Sequence, residues 1–248
     1  DHFRFGIGRV DSENLVGGYK LQSANTSFLN KASSTNPTIA FPGSGMGAAF
    51  TVKPVDWFYV AAGAANAYGN TTTIDIDELF DEWRLFEWVE AGYTPQVEGL
   101  GEGRYRVAVW HMDSRELTGQ PSDSGISFII DQEVGEKVSL FARYGYSDGQ
   151  LTNVRQIAEA GGAWKGLWGS SADLTGLAFA WAEPYADTRD EMVLEWFHRF
   201  QLTGRTQLTL GAQLIIDPSN APDVDNLGVF SARLRWWWIL PRRSPSMW

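Results

Sequence analysis

The sequence predicts an all-β fold, a transmembrane antiparallel up-and-down β-barrel, on three observations. Strand signals of about ten residues recur along the 248-residue chain, whereas strands of soluble proteins typically run about five or six residues. Most of them alternate polar and apolar side chains with period two, which gives each strand two unlike faces. The connections alternate between tight turns and longer polar segments, as in outer-membrane barrels.

About twelve strands are expected from this periodicity. Helix signals are weak: only 77–88 (DELFDEWRLFEW) could form a helical turn, and its second half reads equally well as a strand. The expected strands lie at 2–10, 46–53, 57–67, 84–94, 104–112, 125–134, 137–147, 157–166, 173–183, 190–202, 205–217 and 227–239.

The lengths of the connections predict how the barrel is oriented. Short ones occur at 53–56, 135–136 and 203–205, and longer polar ones include 11–45 and 113–124. Periplasmic turns are tight in membrane barrels, while extracellular loops are free to grow. A soluble β-sandwich has no reason to sort its connections in this way. The final strand is therefore expected to run toward the periplasm.

The strand at 137–147 raises the question of which face is outside. One row of side chains is apolar and aromatic, and the other carries Arg143 near its middle. In a soluble sandwich the apolar row would be core and Arg143 would lie in solvent. Three features favour an apolar row that faces lipid and an Arg143 that points inward. They are the length of the apolar rows, the aromatic residues near their ends, and the long edges that an unclosed sheet would expose. The apolar row is Val138, Leu140, Ala142, Tyr144 and Tyr146.

Composition excludes several other classes of protein. The chain has no Cys, so it has neither disulfides nor a Cys-based metal site. Its formal net charge of −10 argues against a nucleic-acid binder. The chain has no run of about 18 apolar residues, so no transmembrane helix is expected. The start DHFRFGIGRV lacks the features of a signal peptide, which leads us to expect a mature or truncated chain.

No catalysis, metal or cofactor is expected. The three His residues have no metal-ligand spacing. Asp131 and Glu133 would lie about 6.6 Å apart along one strand face, which suits the carboxylate pair of an inverting glycosidase. Such a spacing also arises by chance on a polar face. The stretches GSGMG and GLGEG read as turns, and IDIDELFDE lacks the order of an EF-hand loop.

Several stretches carry a resemblance that is specific through their order along the chain. They are FLNKASSTNPTIAFPGSGMGAAFTVKP (28–54), WFYVAAGAANA (57–67), VEAGYTP (89–95), GRYRVAVWH (103–111), GISFIIDQEVGEKVSLFARYGYSDG (125–149) and the segment 191–235. This set resembles the carbohydrate-selective porins of the OprB type and covers nearly the whole chain. The resemblance implies a barrel of about 16 strands in the outer membrane of a Gram-negative bacterium, with passive uptake of glucose and related sugars.

The resemblance also implies a domain organisation. The start of the chain resembles the middle of the family pattern, so N-terminal strands are expected to be absent from a porin domain at 1–240. The segment 241–248 is expected to be an added tail, because Pro241 and Pro245 cannot lie inside a ladder. The connection 11–45 would be a loop folded into the lumen as a constriction. Its hydrogen-bonding residues are Lys20, Gln22, Asn25, Asn30 and Lys31.

A pore that favours neutral sugars needs hydrogen-bonding groups beside aromatic surface. The inward-facing positions supply such groups. Lumen charges also pair with one another and brace the wall, so both roles stay open for each residue. The candidate pore-lining and substrate-binding residues are Arg104, Arg106, Trp110, Asp131, Glu133, Arg143, Glu191, Glu195, Arg199, Arg233 and Arg235.

The expected function is passive diffusion of mono- and oligosaccharides through a monomer or homotrimer surrounded by outer-membrane lipid and lipopolysaccharide. One alternative is a barrel of the same family with a mainly structural role or with general small-solute diffusion. Another is a soluble all-β domain that binds or cleaves sugars, which detergent dependence would distinguish.

Overall fold

A computed structural model describes residues 2–70, 72 and 82–237. Twelve long strands follow one another in chain order, and each pairs antiparallel with the next. The strands are β1 (Phe3–Val10), β2 (Gly45–Val55), β3 (Phe58–Asn66), β4 (Leu85–Tyr93), β5 (Gln96–Val97), β6 (Gly101–Met112), β7 (Asp123–Val134), β8 (Val138–Ser147), β9 (Val154–Lys165), β10 (Leu174–Pro184), β11 (Glu191–Thr203), β12 (Thr206–Ile216) and β13 (Asn226–Trp236). The short β5 pairs with β6 alone.

The helical elements that lie wholly within the described residues are short turns. They are α1 (Lys31–Ser34) and two 3₁₀ turns, Ser12–Asn14 and Glu116–Thr118. No helix in these parts of the chain is long and apolar enough to cross a membrane.

The twelve expected strands are confirmed, with ends that differ by a few residues. The two-residue β5 was not expected, because it lies in the connection between β4 and β6 and is too short to show a period. In the ambiguous segment 77–88, the strand reading is confirmed from Leu85 onward, while 77–81 lies outside the described residues. The tail expected at 241–248 also lies outside them.

Strand β8 shows which face of the sheet is covered. Leu140 and Tyr144 are 41% and 39% exposed, whereas Arg143 and Ser139 on the opposite face are 3% and 9% exposed. Other strands repeat this pattern, with exposed Val109, Phe128 and Leu194 on the outer face. Water-soluble monomers rarely expose an apolar surface of this extent. The apolar row is therefore outside and the row of Arg143 inside, as expected.

Aromatic side chains gather on the outer face at the end of the sheet that carries the short turns. The ring of Tyr93 lies 5.8 Å from that of Trp57 and 6.0 Å from that of Tyr105. Farther round, the ring of Trp168 lies 6.1 Å from that of Trp196. Such rings form the belt of a membrane barrel where it meets the interface with water.

A second aromatic group lies at the end that carries the long loops. Trp181 donates a hydrogen bond to the Asp190 carboxylate (3.1 Å), and Tyr144 donates to the Gln156 side chain (2.9 Å). An apolar ring with a polar end that finds a partner suits the boundary between lipid and water. The apolar outer band is thus flanked by aromatic residues on both sides.

The connection 11–44 packs on the inner face and builds the core there. Tyr19 stacks on Phe141 of β8 with ring centroids 4.2 Å apart. Phe28 is fully buried and meets Phe197 of β11 edge-on at 5.0 Å. We call this connection the inner loop. The core therefore lies between the inner loop and the strands.

The inner loop also shows that the sheet curves strongly. Glu90 of β4 accepts from the Gly17 amide, and Arg233 of β13 donates to the Ala24 carbonyl. The two strands are eight strand spacings apart in sheet order, about 38 Å in a flat sheet. The eight residues from Gly17 to Ala24 span at most about 24 Å when extended, and they contain a turn at Tyr19. Both contacts fit a sheet that curves around the loop.

The sheet has two unjoined edges in the described residues. Strand β1 pairs with β2 alone, and β13 pairs with β12 alone. Ile7 and Phe230 on these edge strands are 74% and 87% exposed.

Substituting Leu140 tests the outer face. Leu140→Arg should lower the free energy of folding into a bilayer by roughly 2–4 kcal/mol if the residue lies near the midplane, because lipid cannot solvate the guanidinium. Denaturant titration of folding into phospholipid vesicles measures this loss. Leu140→Val, which stays apolar, is the control and should change it far less. Equal stability of both variants would place Leu140 away from lipid.

Candidate functional site

The candidate site lies between the inner loop and the wall at β4 and β6. A cavity of about 420 Å³ opens here. One side is formed by loop residues from Asp11 to Asn25, and the other by Glu90, Arg104 and Arg106. Most of its surface is polar, so it can hold a hydrated or hydroxyl-rich solute.

Carboxylates of the wall bind main-chain amides of the inner loop. A loop folded against a sheet buries amides that have no ladder partner, and each needs an acceptor. The pairs are Glu90 with Gly17 (3.2 Å), Asp131 with Lys20 (3.0 Å), and Glu195 with both Leu29 (2.6 Å) and Asn30 (2.9 Å).

Arginines of the wall bind main-chain carbonyls of the same loop. The guanidinium group carries several donors in a fixed fork, so one arginine can bind two carbonyls. The pairs are Arg106 with Gly18, Arg143 with Ala32 and with Thr35 (2.7 Å), Arg199 with Thr26 (2.9 Å), and Arg233 with Ala24 and with Ser27 (3.0 Å).

The deepest of these contacts surrounds an ion pair between Arg143 and Glu159 on adjacent strands. Their atoms lie 2.7 Å apart, and both side chains are completely buried. The hydroxyl of Tyr19 lies 3.2 Å from Glu159 and 2.5 Å from the Ser33 carbonyl, so its one hydrogen is shared between these two acceptors. A buried pair is stabilised when further hydrogen bonds satisfy its remaining groups. Here the inner loop supplies partners for all of them except the Nε of Arg143, which has none among the described residues.

Two glycines permit the close approach of side chains on this inner face. A Cβ on Gly145 of β8 would lie 2.1 Å from the Thr38 hydroxyl of the loop. A Cβ on Gly92 would lie 2.1 Å from the ring of Tyr59, which crosses above it. These positions explain glycines within otherwise regular strands.

Two basic side chains remain accessible at the cavity. The side chain of Arg104 is 49% exposed and donates to the Tyr59 hydroxyl (3.1 Å), which in turn donates to Glu90 (2.7 Å). The side chain of Lys20 is 56% exposed and pairs with Glu133. By contrast, Arg106 is buried against Asp131 at 2.5 Å.

The other expected pore residues lie in different surroundings. Trp110 is buried with Phe86 and Trp88 in the core beneath the loop. Glu191 accepts from the amide (2.8 Å) and hydroxyl (3.1 Å) of Ser219, so it lies at the long-loop rim. Arg235 is exposed.

The expected constriction residues are likewise distributed over different roles. Gln22 accepts from Arg143 (3.3 Å). Asn30 caps α1 by accepting from the Ala32 amide (2.9 Å) and also donates to Gln213 (3.1 Å). Asn25 and Lys31 are exposed.

Sequence reasoning missed four residues that organise the site, namely Tyr19, Tyr59, Glu90 and Glu159. Glu90 and Glu159 share the inward parity of the residues that were selected. The same alternation along β4 and β9 would have found them. Tyr19 and Tyr59 are recognised only through the contacts they make.

Comparison with known proteins identifies the family. A family model described as "Carbohydrate-selective porin, OprB family" matches residues 2–237. The chain belongs to this family. The face that holds the inner loop is therefore the lumen face of a porin wall, and the apolar face is the outer surface in the outer membrane of a Gram-negative bacterium.

Curated relatives of the porin come from Chlamydia. Porin AaxA of Chlamydia abortus is 26% identical over 238 residues, which are 92% of this chain and 52% of the relative. Porin AaxA of Chlamydia trachomatis serovar L2 is 25% identical over 236 residues, 92% of this chain and 50% of the relative. The chain thus spans about half the length of these relatives. Porins are channels rather than enzymes.

Solved structures show the same fold. The high-pH structure of Pseudomonas putida OprB matches with a TM-score of 0.73 and 18% identity, over 95% of this chain and 69% of that chain. The low-pH structure matches with a TM-score of 0.53 and 20% identity, over 77% and 55%. The all-β barrel fold expected from the sequence is confirmed.

Arg143→Ala should change the single-channel conductance of the porin without unfolding the barrel. The substitution leaves Glu159 buried without its cation, at a cost of about 3–5 kcal/mol, and removes three hydrogen bonds to the inner loop, those to Gln22, Ala32 and Thr35. We expect a higher conductance with more current fluctuation in planar bilayers.

Arg155→Ala is the matched control for this variant. Arg155 is an exposed arginine near the rim of β9, 3.5 Å from Glu183, and its loss should leave the conductance unchanged. Heat-modified migration in gels verifies that both variants fold. A conductance of Arg143→Ala equal to that of the unmodified porin would show that the arginine does not hold the loop.

Proposed function

We propose that the porin carries out passive diffusion of glucose and related mono- and oligosaccharides across the outer membrane. The cavity beside the inner loop is the observation that carries this proposal. Its volume of about 420 Å³ lies toward the lower end of small-molecule sites, which run about 300–1,000 Å³.

The basic groups around the cavity are paired with carboxylates, and this favours neutral solutes. Lys20 faces Glu133, Arg106 faces Asp131, and Arg104 lies 4.0 Å from Glu90. Pairing lowers the local net charge but leaves donors and acceptors that can bind hydroxyl groups. A diffusing sugar exchanges water hydrogen bonds for these, and the weak net gain lets it leave again.

We assign the two roles of the lumen residues by their burial. Lys20 and Arg104 are exposed enough to contact the solute. Arg143 and Glu159 are buried beneath the inner loop, so they act on the solute by positioning that loop. The same positioning role falls to Glu195, whose carboxylate holds two loop amides.

The outer surface is the proposed contact with lipid and lipopolysaccharide, through its apolar band and aromatic ends. Native mass spectrometry of the porin extracted in mild detergent would detect bound lipopolysaccharide and distinguish a monomer from a homotrimer. Full delipidation without any loss of stability would count against a lipopolysaccharide contact.

Glucose should reduce the single-channel conductance of the porin, because a sugar in the cavity displaces ions. Arg104→Gln removes an accessible donor and should weaken this block by about three- to tenfold in half-blocking concentration, the range of one charge-assisted hydrogen bond. The conservative Arg104→Lys should retain part of the block.

Arg155→Gln is the control and should leave the block unchanged. A conductance that glucose does not alter would contradict the sugar preference. Permeation in liposome swelling that follows solute size alone would favour general small-solute diffusion instead.

A further inference from the structure

The arginines on the lumen face fall into two sectors that differ in their partners. Arg106 and Arg143 on β6 and β8 each pair with a carboxylate on the neighbouring strand, at 2.5 and 2.7 Å. Arg199 on β11 and Arg233 and Arg235 on β13 make no ion pair within 4.0 Å with any described residue. We call these three arginines the basic sector.

Strand register brings the basic sector together. Arg199 and Arg233 are both paired with Thr209 of the intervening β12, so they lie in one row across three strands. Adjacent strands are about 4.8 Å apart, which places their backbones about 10 Å from each other. Arg235 lies two residues further along β13, in the row of Gln207. The three cations are close enough to repel one another.

Neutral groups hold these arginines in place. Arg199 and Arg233 donate to main-chain carbonyls of the inner loop, which orient the guanidinium groups without cancelling their charge. Glu195 lies on the same face of β11, but it makes no ion pair within 4.0 Å with these arginines, and its oxygens accept from two loop amides. The three cations therefore leave a positive balance in this sector among the described residues.

An exposed aromatic–guanidinium surface completes the sector. Arg235 is exposed and lies 5.3 Å from the ring centroid of Trp237. The ring offers an apolar face to the C–H groups of a sugar, and the adjacent guanidinium offers a planar fork that matches a carboxylate.

We propose that the basic sector gives the channel a second class of solute, small sugars that carry a carboxylate, and makes its lumen prefer anions. This preference is opposite to the sign of the chain's formal charge of −10. A carboxylated sugar is drawn toward Arg199 and Arg235, contacts Trp237, and leaves because solvent and salt weaken the attraction. The inference rests on the proposed function, since it needs an open channel.

Glucose and glucuronate are the probes, because they share a ring and differ by one carboxylate. In planar bilayers under a KCl gradient, the reversal potential should show preference for chloride. In liposome swelling, glucuronate should permeate at least as fast as glucose. A preference for potassium, or glucuronate that permeates several-fold more slowly than glucose, would overturn the inference while leaving the proposed function intact. A porin through which neither sugar passes would overturn both.

Arg235→Gln tests whether the selectivity arises in the basic sector. Arg235 suits this test because it makes no hydrogen bond to the inner loop among the described residues. The substitution should lower the ratio of glucuronate to glucose permeation by about threefold, as expected for one partly screened charge. Arg155→Gln is the matched control, the same change at an exposed arginine near the rim of β9, remote from the basic sector, and should leave the ratio unchanged. An equal fall in both variants would place the selectivity outside the basic sector.

Substitutions of Arg199 test the effect of its charge separately from the effect of its shape. Arg199→Lys keeps the cation and should preserve the chloride preference, whereas Arg199→Gln should reduce it. The preference should also shrink between 0.1 M and 1 M KCl, because the screening length falls from about 10 Å to about 3 Å. A preference insensitive to both salt and Arg199→Gln would contradict an electrostatic origin in these arginines.

Discussion

The buried ion pair of Arg143 and Glu159 is the interaction on which the lumen depends. Cross-strand register places the two residues directly opposite each other, so the sheet alone brings the two charges together, independently of the inner loop. Removing both from water is costly, and their attraction repays this cost only with the help of further hydrogen bonds to the pair. Tyr19, Gln22 and the loop carbonyls provide those bonds, and only the Nε of Arg143 has no partner among the described residues. The pair and the inner loop therefore stabilise each other, and neither is satisfied alone.

The same requirement explains why the wall carries so many charges. A loop with little regular structure satisfies only some of its own amides and carbonyls, so burying it against a sheet demands partners from the wall for the others. Carboxylates such as Glu195 take the amides, and arginines such as Arg233 take the carbonyls. Because the wall binds main-chain atoms of the loop, side chains that face the cavity, such as Lys20, are not needed to hold the loop in place. They can therefore serve the solute contact that we propose.

The sequence predicts the strands and their faces well, because a period of two is a local property. Leu140 and Arg143 could be assigned to opposite sides from their own strand alone. Which inward charges meet the solute is not local. Lys20 meets Glu133 across 113 positions of sequence, and Arg143 is covered by a loop more than 100 residues away. Only the path of the inner loop separates accessible from buried charges. The short strand β5 was not predicted, because two residues are too few to show an alternation of polar and apolar side chains.

The pairing of charges also differs from one part of the wall to another, and this follows from register. Where Arg143 faces Glu159 across one strand spacing, the two charges cancel at the distance of the solute. Where Arg199 and Arg233 are separated by Thr209, the field is not cancelled. In the proposed channel, a solute therefore meets donors with little net charge on one side and a positive potential on the other. This field is screened within about 10 Å at 0.1 M salt, so under the proposal it acts only where the inner loop narrows the passage. The proposed role of the loop is then double, since the same narrowing limits the size of the solute and brings it within range of the charge.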